Sequence, residues 1–145
     1  MDIRRVCAYG RVSTNHEEQE SSILTQGEMF KKWEETHKDE GYKLVNEVYE
    51  QKSGKRPKFM QMISDAKQGH YDTLLFKDIH SISRNYEALI GLIKELKEHN
   101  VNIIFIAEGL DSSEEKNITM LSFLGIMAEN YSNALHKELS KRVGC

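Results

Sequence analysis

The stretch Tyr9-Gly10-Arg11-Val12-Ser13-Thr14 sets a hydroxyl beside a guanidinium. It follows a short apolar run, Val6-Cys7-Ala8, and precedes a polar segment that leads into a helix. A strand that ends in such a turn can present both groups to a phosphate. Phosphoryl transfer to a serine needs a hydroxyl aimed at phosphorus, cations on the non-bridging oxygens, and a proton for the leaving oxygen. Ser13 with Arg11, Arg56 and Arg84 supplies the first two. Arginine suits the task better than lysine, because its planar fork bonds two phosphate oxygens at once.

Other chemistries fit less well. Gly10-Arg11-Val12-Ser13-Thr14 lacks the flanking glycines of a hydrolase nucleophile elbow. No Gly-Lys-Ser/Thr follows the first strand, so it is no Walker loop. Six histidines show no paired ligand spacing and no cysteine partners, so a metal site is not expected. A Ser13–His80 dyad stays open, although no acid in the sequence is seen to orient His80. Cys7 reads as a small core hydrophobe, and Cys145 is the last residue.

These residues need a scaffold. Short runs rich in β-branched or aromatic residues predict strands at Val6 to Gly10, Leu44 to Tyr49, Thr73 to Phe76 and Ile103 to Ile106. Helical patterns lie between them, which predicts a mostly parallel sheet with helices on its faces. The first helix is expected to start at Ser21 or Ser22 and to end near Gly41. Ile23, Phe30, Trp33 and His37 mark its sheet-facing side, and Gln26 sits one turn from Phe30. Pro57 suits the first position of the second helix, after the basic loop Lys52-Ser53-Gly54-Lys55-Arg56. Arg84 follows the third strand, in Lys77-Asp78-Ile79-His80-Ser81-Ile82-Ser83-Arg84-Asn85. Ligands of open α/β sheets sit beyond the carboxyl ends of the strands, so this segment and the Ser13 turn are expected at one edge. Glu108 to Ser113 reads as a polar loop. From Asn117 to Ala128 most residues are apolar, and Tyr131, Leu135 and Leu139 continue a narrower stripe. A helix apolar nearly all round needs cover on more than one side, which a second copy of the chain can give.

The bulk composition is that of one globular domain: 145 residues, 39% hydrophobic and 30% charged, with a net charge of −3. A domain that grips DNA alone usually carries a basic excess, so weak DNA binding is expected of this one. No apolar run reaches membrane-spanning length, and the N-terminus lacks a signal core; a cytoplasmic location is expected.

Taken in order, these motifs resemble the catalytic domain of the serine recombinases, the resolvase/invertase and large serine integrase family. Tyr9-Gly10-Arg11-Val12-Ser13-Thr14 is similar to the family's Tyr-x-Arg-Val-Ser-Thr signature. Gln26 falls where the family has a glutamine in the first helix. Ser53-Gly54 with Arg56-Pro57, Ser83-Arg84-Asn85, and Ala128-Glu129 with Tyr131-Ser132 and Leu135 match further elements. The resemblance implies a resolvase-like three-layer α/β domain over residues 1–145, a central mostly parallel sheet flanked by helices, and a long C-terminal dimerisation helix over 117–143. It implies that Ser13 attacks a DNA phosphate to give a 5′-phosphoserine link and a free 3′ hydroxyl. Arg11 and Arg84 would bind the scissile phosphate, Arg56 would assist and Gln26 would position. No metal or nucleotide is implied. The partners implied are double-stranded DNA recombination sites, a second copy to form a dimer, and a tetramer on synapsis. A DNA-binding domain is expected outside these residues.

One departure stands out. The family places a second arginine three residues before the one matching Arg84, and here that residue is Ser81. His80 or Lys77 is expected to compensate, with Asp78 as a local acid. The alternative is a non-catalytic dimerisation or regulatory relative disabled by Ser81. A phosphate-binding domain of flavodoxin-like shape is a more remote reading.

Overall fold

The structure, a computed structural model, describes residues 2–52 and 54–127. Its elements alternate as the sequence predicts: β1 (Arg4–Val12), α1 (His16–Thr36), β2 (Tyr42–Gln51), α2 (Pro57–Lys67), β3 (Thr73–Phe76), α3 (Tyr86–Glu98), β4 (Asn102–Phe105) and β5 (Leu110–Asp111). A further helix, α4, runs from residue 115 through 127. The sheet order is β2-β1-β3-β4-β5, parallel except for the antiparallel β4–β5 pair.

Alternation along β1 divides the core. Val6 and Ala8 pack with Leu75 and Ile104 beneath Phe30 and Trp33 of α1. Cys7 and Tyr9 point the other way, to Phe59 and Met62 of α2 and Leu89, Ile93 and Leu96 of α3. β3 lies between β1 and β4 and is buried on both faces, hence its apolar run Leu74-Leu75-Phe76 after the buried Thr73. The result is the three-layer arrangement expected. Burial pushes the Cys7 thiol up to about 12, consistent with a core hydrophobe.

Several boundaries differ from the sequence reading. β1 continues to Val12, which carries Arg11 to the edge of the sheet. α1 begins well before Ser21: Asn15 is its cap, accepting from the backbone N–H groups of Glu17 (3.1 Å) and Glu18 (3.4 Å). Glu17 and Glu18 then lie in the first turn, where carboxylates suit the helix dipole. The helix ends at Thr36, and Gly41 (φ 88°) instead closes a short 3-10 turn over Lys38–Glu40. Within the stretch read as a polar loop, Leu110 and Asp111 form β5, since burying Leu110 in the core outweighs the polar surroundings.

α4 packs against the core through Leu121, while Met120, Phe123, Leu124, Ile126 and Met127 are exposed. Gly125 passes close to the start of α3: a Cβ there would stand 2.8 Å from Tyr86 Cβ. The expected extension of this helix, with Tyr131, Leu135 and Leu139, lies outside the described residues, as do Ser53 and Cys145.

Candidate active site

β1 and β3 run side by side in register, Tyr9 beside Phe76, so their carboxyl ends open onto one edge. A cleft of about 550 Å³ lies there. Arg11 lines it from β1, Ser22, Thr25 and Gln26 from α1, and Lys52 from the segment after β2. Lys77, Asp78, His80, Ser81 and Arg84 line it from the segment after β3. Two arginines and two lysines thus meet one carboxylate, in a chain whose net charge is −3. Local charge runs against global charge, the arrangement that concentrates an anion in a cleft. Arg11, Gln26, Asp78, His80 and Arg84 come together as the sequence predicts; Lys52 was not foreseen in this role.

Ser13 stands apart from that lining. It is half-buried just beyond β1, in the turn that opens α1. Its hydroxyl donates to Glu18 Oε2 at 2.9 Å and accepts from the backbone N–H of Asn15 at 3.1 Å. Its recorded partners are therefore Glu18 and Asn15, and the open Ser13–His80 dyad is not formed.

Gln26 reaches from α1 to the end of β1. Its Nε2 donates to Arg11 O (3.1 Å) and to Ser22 Oγ (2.9 Å), tying helix to strand next to the Arg11 guanidinium stem. The crossing needs Gly10. A Cβ at that position would run into Gln26 Oε1 and come within 3.0 Å of Tyr49 Cδ1.

A second residue missed by sequence reasoning is Glu50. It lies beside Arg11 in the β1–β2 register and is only 4% exposed. Its carboxylate accepts from Tyr9 OH (2.7 Å), Lys58 N (2.7 Å) and Phe59 N (3.2 Å). Burial works to raise its pKa, but these hydrogen bonds and the nearby Arg11 charge prevail and hold it below the ordinary value. Tyr9, packed edge-on to Phe59 at 5.2 Å, is pushed upward by burial and by the same carboxylate. Glu50 thereby joins β1, β2 and the start of α2. The available signal was an acid at a strand's carboxyl end, shortly before the basic loop.

Arg56 is placed as a brace rather than in the cleft wall. Its Nη1 donates to the carbonyls of Ser81 (3.2 Å) and Ile82 (2.7 Å), and its guanidinium lies 4.3 Å from the centre of the Phe59 ring. It locks the start of α2 to the segment that carries Arg84. Asp78 holds that segment from within, accepting from Ser81 N (3.0 Å) and Ser81 Oγ (3.1 Å). Glu108 accepts from Ile79 N at 3.1 Å, and Asn85 caps α3 immediately after Arg84. Ser81 thus fits a carboxylate-bound turn. His80 is exposed in the cleft wall.

Known proteins share this architecture. A resolvase family site-specific recombinase from Streptococcus pneumoniae superposes with a TM-score of 0.71 at 24% identity, over 98% of this chain and 99% of that one. The N-terminal catalytic domain of TP901-1 integrase gives 0.72 at 23% identity, over 92% and 99%. The C-terminal catalytic domain of ISC1926 TnpA, an IS607-like serine recombinase, gives 0.52 at 18%, over 97% and 99%. No curated protein sequence matches the chain. At these identities the structures establish the fold. The sequence itself matches the resolvase N-terminal domain from residue 6 to 143, a span holding every residue of the cleft. The chain is therefore a member of the resolvase N-terminal domain family.

Proposed function

We propose that this chain is the catalytic domain of a site-specific DNA recombinase that cuts and rejoins strands through a covalent 5′-phosphoserine intermediate on Ser13. The observation that carries the reading is the cleft at the sheet edge, where Arg11, Arg84, Lys52 and Lys77 gather in a chain of net charge −3, with Arg11 two residues before Ser13 in sequence. The cations take the charge that develops on the phosphate oxygens. Gln26 and Glu50 hold the backbone and side chain of the Arg11 strand, and Arg56 braces the Arg84 segment. The serine link conserves the energy of the broken bond, so rejoining needs no nucleotide. The exposed apolar face of α4 supports assembly with a second copy, and paired dimers would synapse two sites as a tetramer.

The full-length protein on its recombination site is expected to yield a protease-sensitive DNA adduct that Ser13→Ala abolishes. Survival of the adduct in Ser13→Ala would refute the mechanism. Absence of any adduct would favour a non-catalytic relative. Ser81→Arg adds a guanidinium to the cleft wall, and faster cleavage of a suicide substrate is expected. Equal rates would show that Lys52 and Lys77 already replace it.

A further inference from the structure

We infer that Glu18 is the general base that takes the proton from Ser13. This rests on the reading of Ser13 as the nucleophile.

The argument begins with the four directions around the Ser13 oxygen. One is the bond to Cβ. The second is its proton, aimed at Glu18 Oε2 at 2.9 Å. The third is a lone pair that accepts the Asn15 N–H at 3.1 Å. The fourth, a second lone pair, remains for phosphorus. A base must stand within hydrogen-bond reach of the proton it removes, and this carboxylate does. Its position is fixed by the helix start: Asn15, whose N–H orients the hydroxyl, also caps the Glu18 N–H through its side chain at 3.4 Å. One residue thus sets both partners of the proton transfer. Neither Asp78 nor His80, the acid and the imidazole of the cleft wall, has a hydrogen bond to Ser13: Asp78 is engaged by Ser81.

In the forward step the Oγ–P bond forms and the P–O3′ bond breaks. The proton passes from Oγ to Glu18 Oε2, and the leaving O3′ takes up a proton from water. In the return step O3′ loses that proton to water and attacks the phosphoserine, and Glu18 gives its proton back to Oγ. The same carboxyl group serves as base and then acid.

The test uses the whole chain and an activated phosphodiester, bis(4-nitrophenyl) phosphate, whose leaving group needs no proton. Nitrophenolate release and intact mass follow an adduct mapped to Ser13, with Ser13→Ala as the blank. Glu18→Gln keeps an oxygen for the Ser13 hydrogen bond but cannot accept the proton, and labelling is expected to slow by about 100-fold. Glu18→Ala should be equally slow and should recover in added formate, a small base that fits the space left. Wild-type labelling at Ser13 with unchanged or faster labelling of Glu18→Gln would overturn the base and leave the nucleophile standing. Lack of formate rescue in a folded Glu18→Ala variant would also count against the base. No adduct on Ser13 in the wild-type chain would overturn both.

Discussion

Gly10 shows how tightly the site is drawn. Its missing side chain is where the Gln26 amide crosses β1 to reach the Arg11 carbonyl. Gly10→Ala is expected to destabilise the fold by about 1–3 kcal/mol in denaturant unfolding, as overpacking does. Gln26→Ala in the same chain should recover part of that loss, because the two side chains compete for one volume. Tyr49 Cδ1 at 3.0 Å keeps the recovery incomplete. Glu50 makes a different prediction. All three of its recorded partners are donors, so Glu50→Gln turns an amide N–H₂ toward a donor in a buried place. A cost of about 1–3 kcal/mol at neutral pH is expected. Its folded pKa is depressed, so its stabilisation is present above the ordinary value of 4.5 and fades as pH falls through the lowered one. Acid titration of wild type should therefore show a steeper loss of stability than Glu50→Gln as pH falls from 4.5 through the lowered value. An identical slope would remove Glu50 as the group responsible.

At the scale of elements, the start of α1 is the feature with most at stake, since it fixes Ser13 and Glu18 together. Asn15→Ala should cost about 1 kcal/mol of stability, the usual loss for a cap, whereas Ser21→Ala should change it little. The reverse ranking would restore the later helix start read from the sequence. Much of the scaffold was legible before the structure: the four parallel strands, Pro57 opening α2 and the Arg84 segment following β3 all stand where apolar runs and turn residues put them. The rest was hidden for particular reasons. Ser21-Ser22 is a familiar cap signal, but Asn15 with Glu17 and Glu18 in the turn after it is a stronger one. β5 is two residues long, and its pairing with β4 is decided by the burial of Leu110 rather than by any local pattern. Glu50 and Lys52 took their roles from the β1–β2 register, which is non-local. The arginines were legible as a set, yet only the structure separates the cleft residues Arg11 and Arg84 from the brace Arg56.

For the whole molecule, the exposed face of α4 is the main asymmetry. Phe123, Ile126 and Met127 are each more than half exposed on one short helix. Such a contiguous apolar face is characteristic of an interface. Phe123→Glu is expected to shift the chain toward monomer in sedimentation velocity without unfolding it, since the side chain is 59% exposed. An unchanged sedimentation distribution would remove this face as the dimer contact.

The same helix has an inner side, where Gly125 passes close to Tyr86. With no side chain there, α4 rests almost directly on Tyr86, two residues after Arg84. Packed interiors transmit displacement instead of absorbing it. A tilt or slide of α4 by even a methyl group's width must be taken up at the mouth of α3, where the Asn85 cap and the Arg84 guanidinium begin. With α4 as the proposed partner contact and Arg84 as the proposed phosphate ligand, assembly and phosphate grip would form one mechanical linkage, with Gly125 as its bearing.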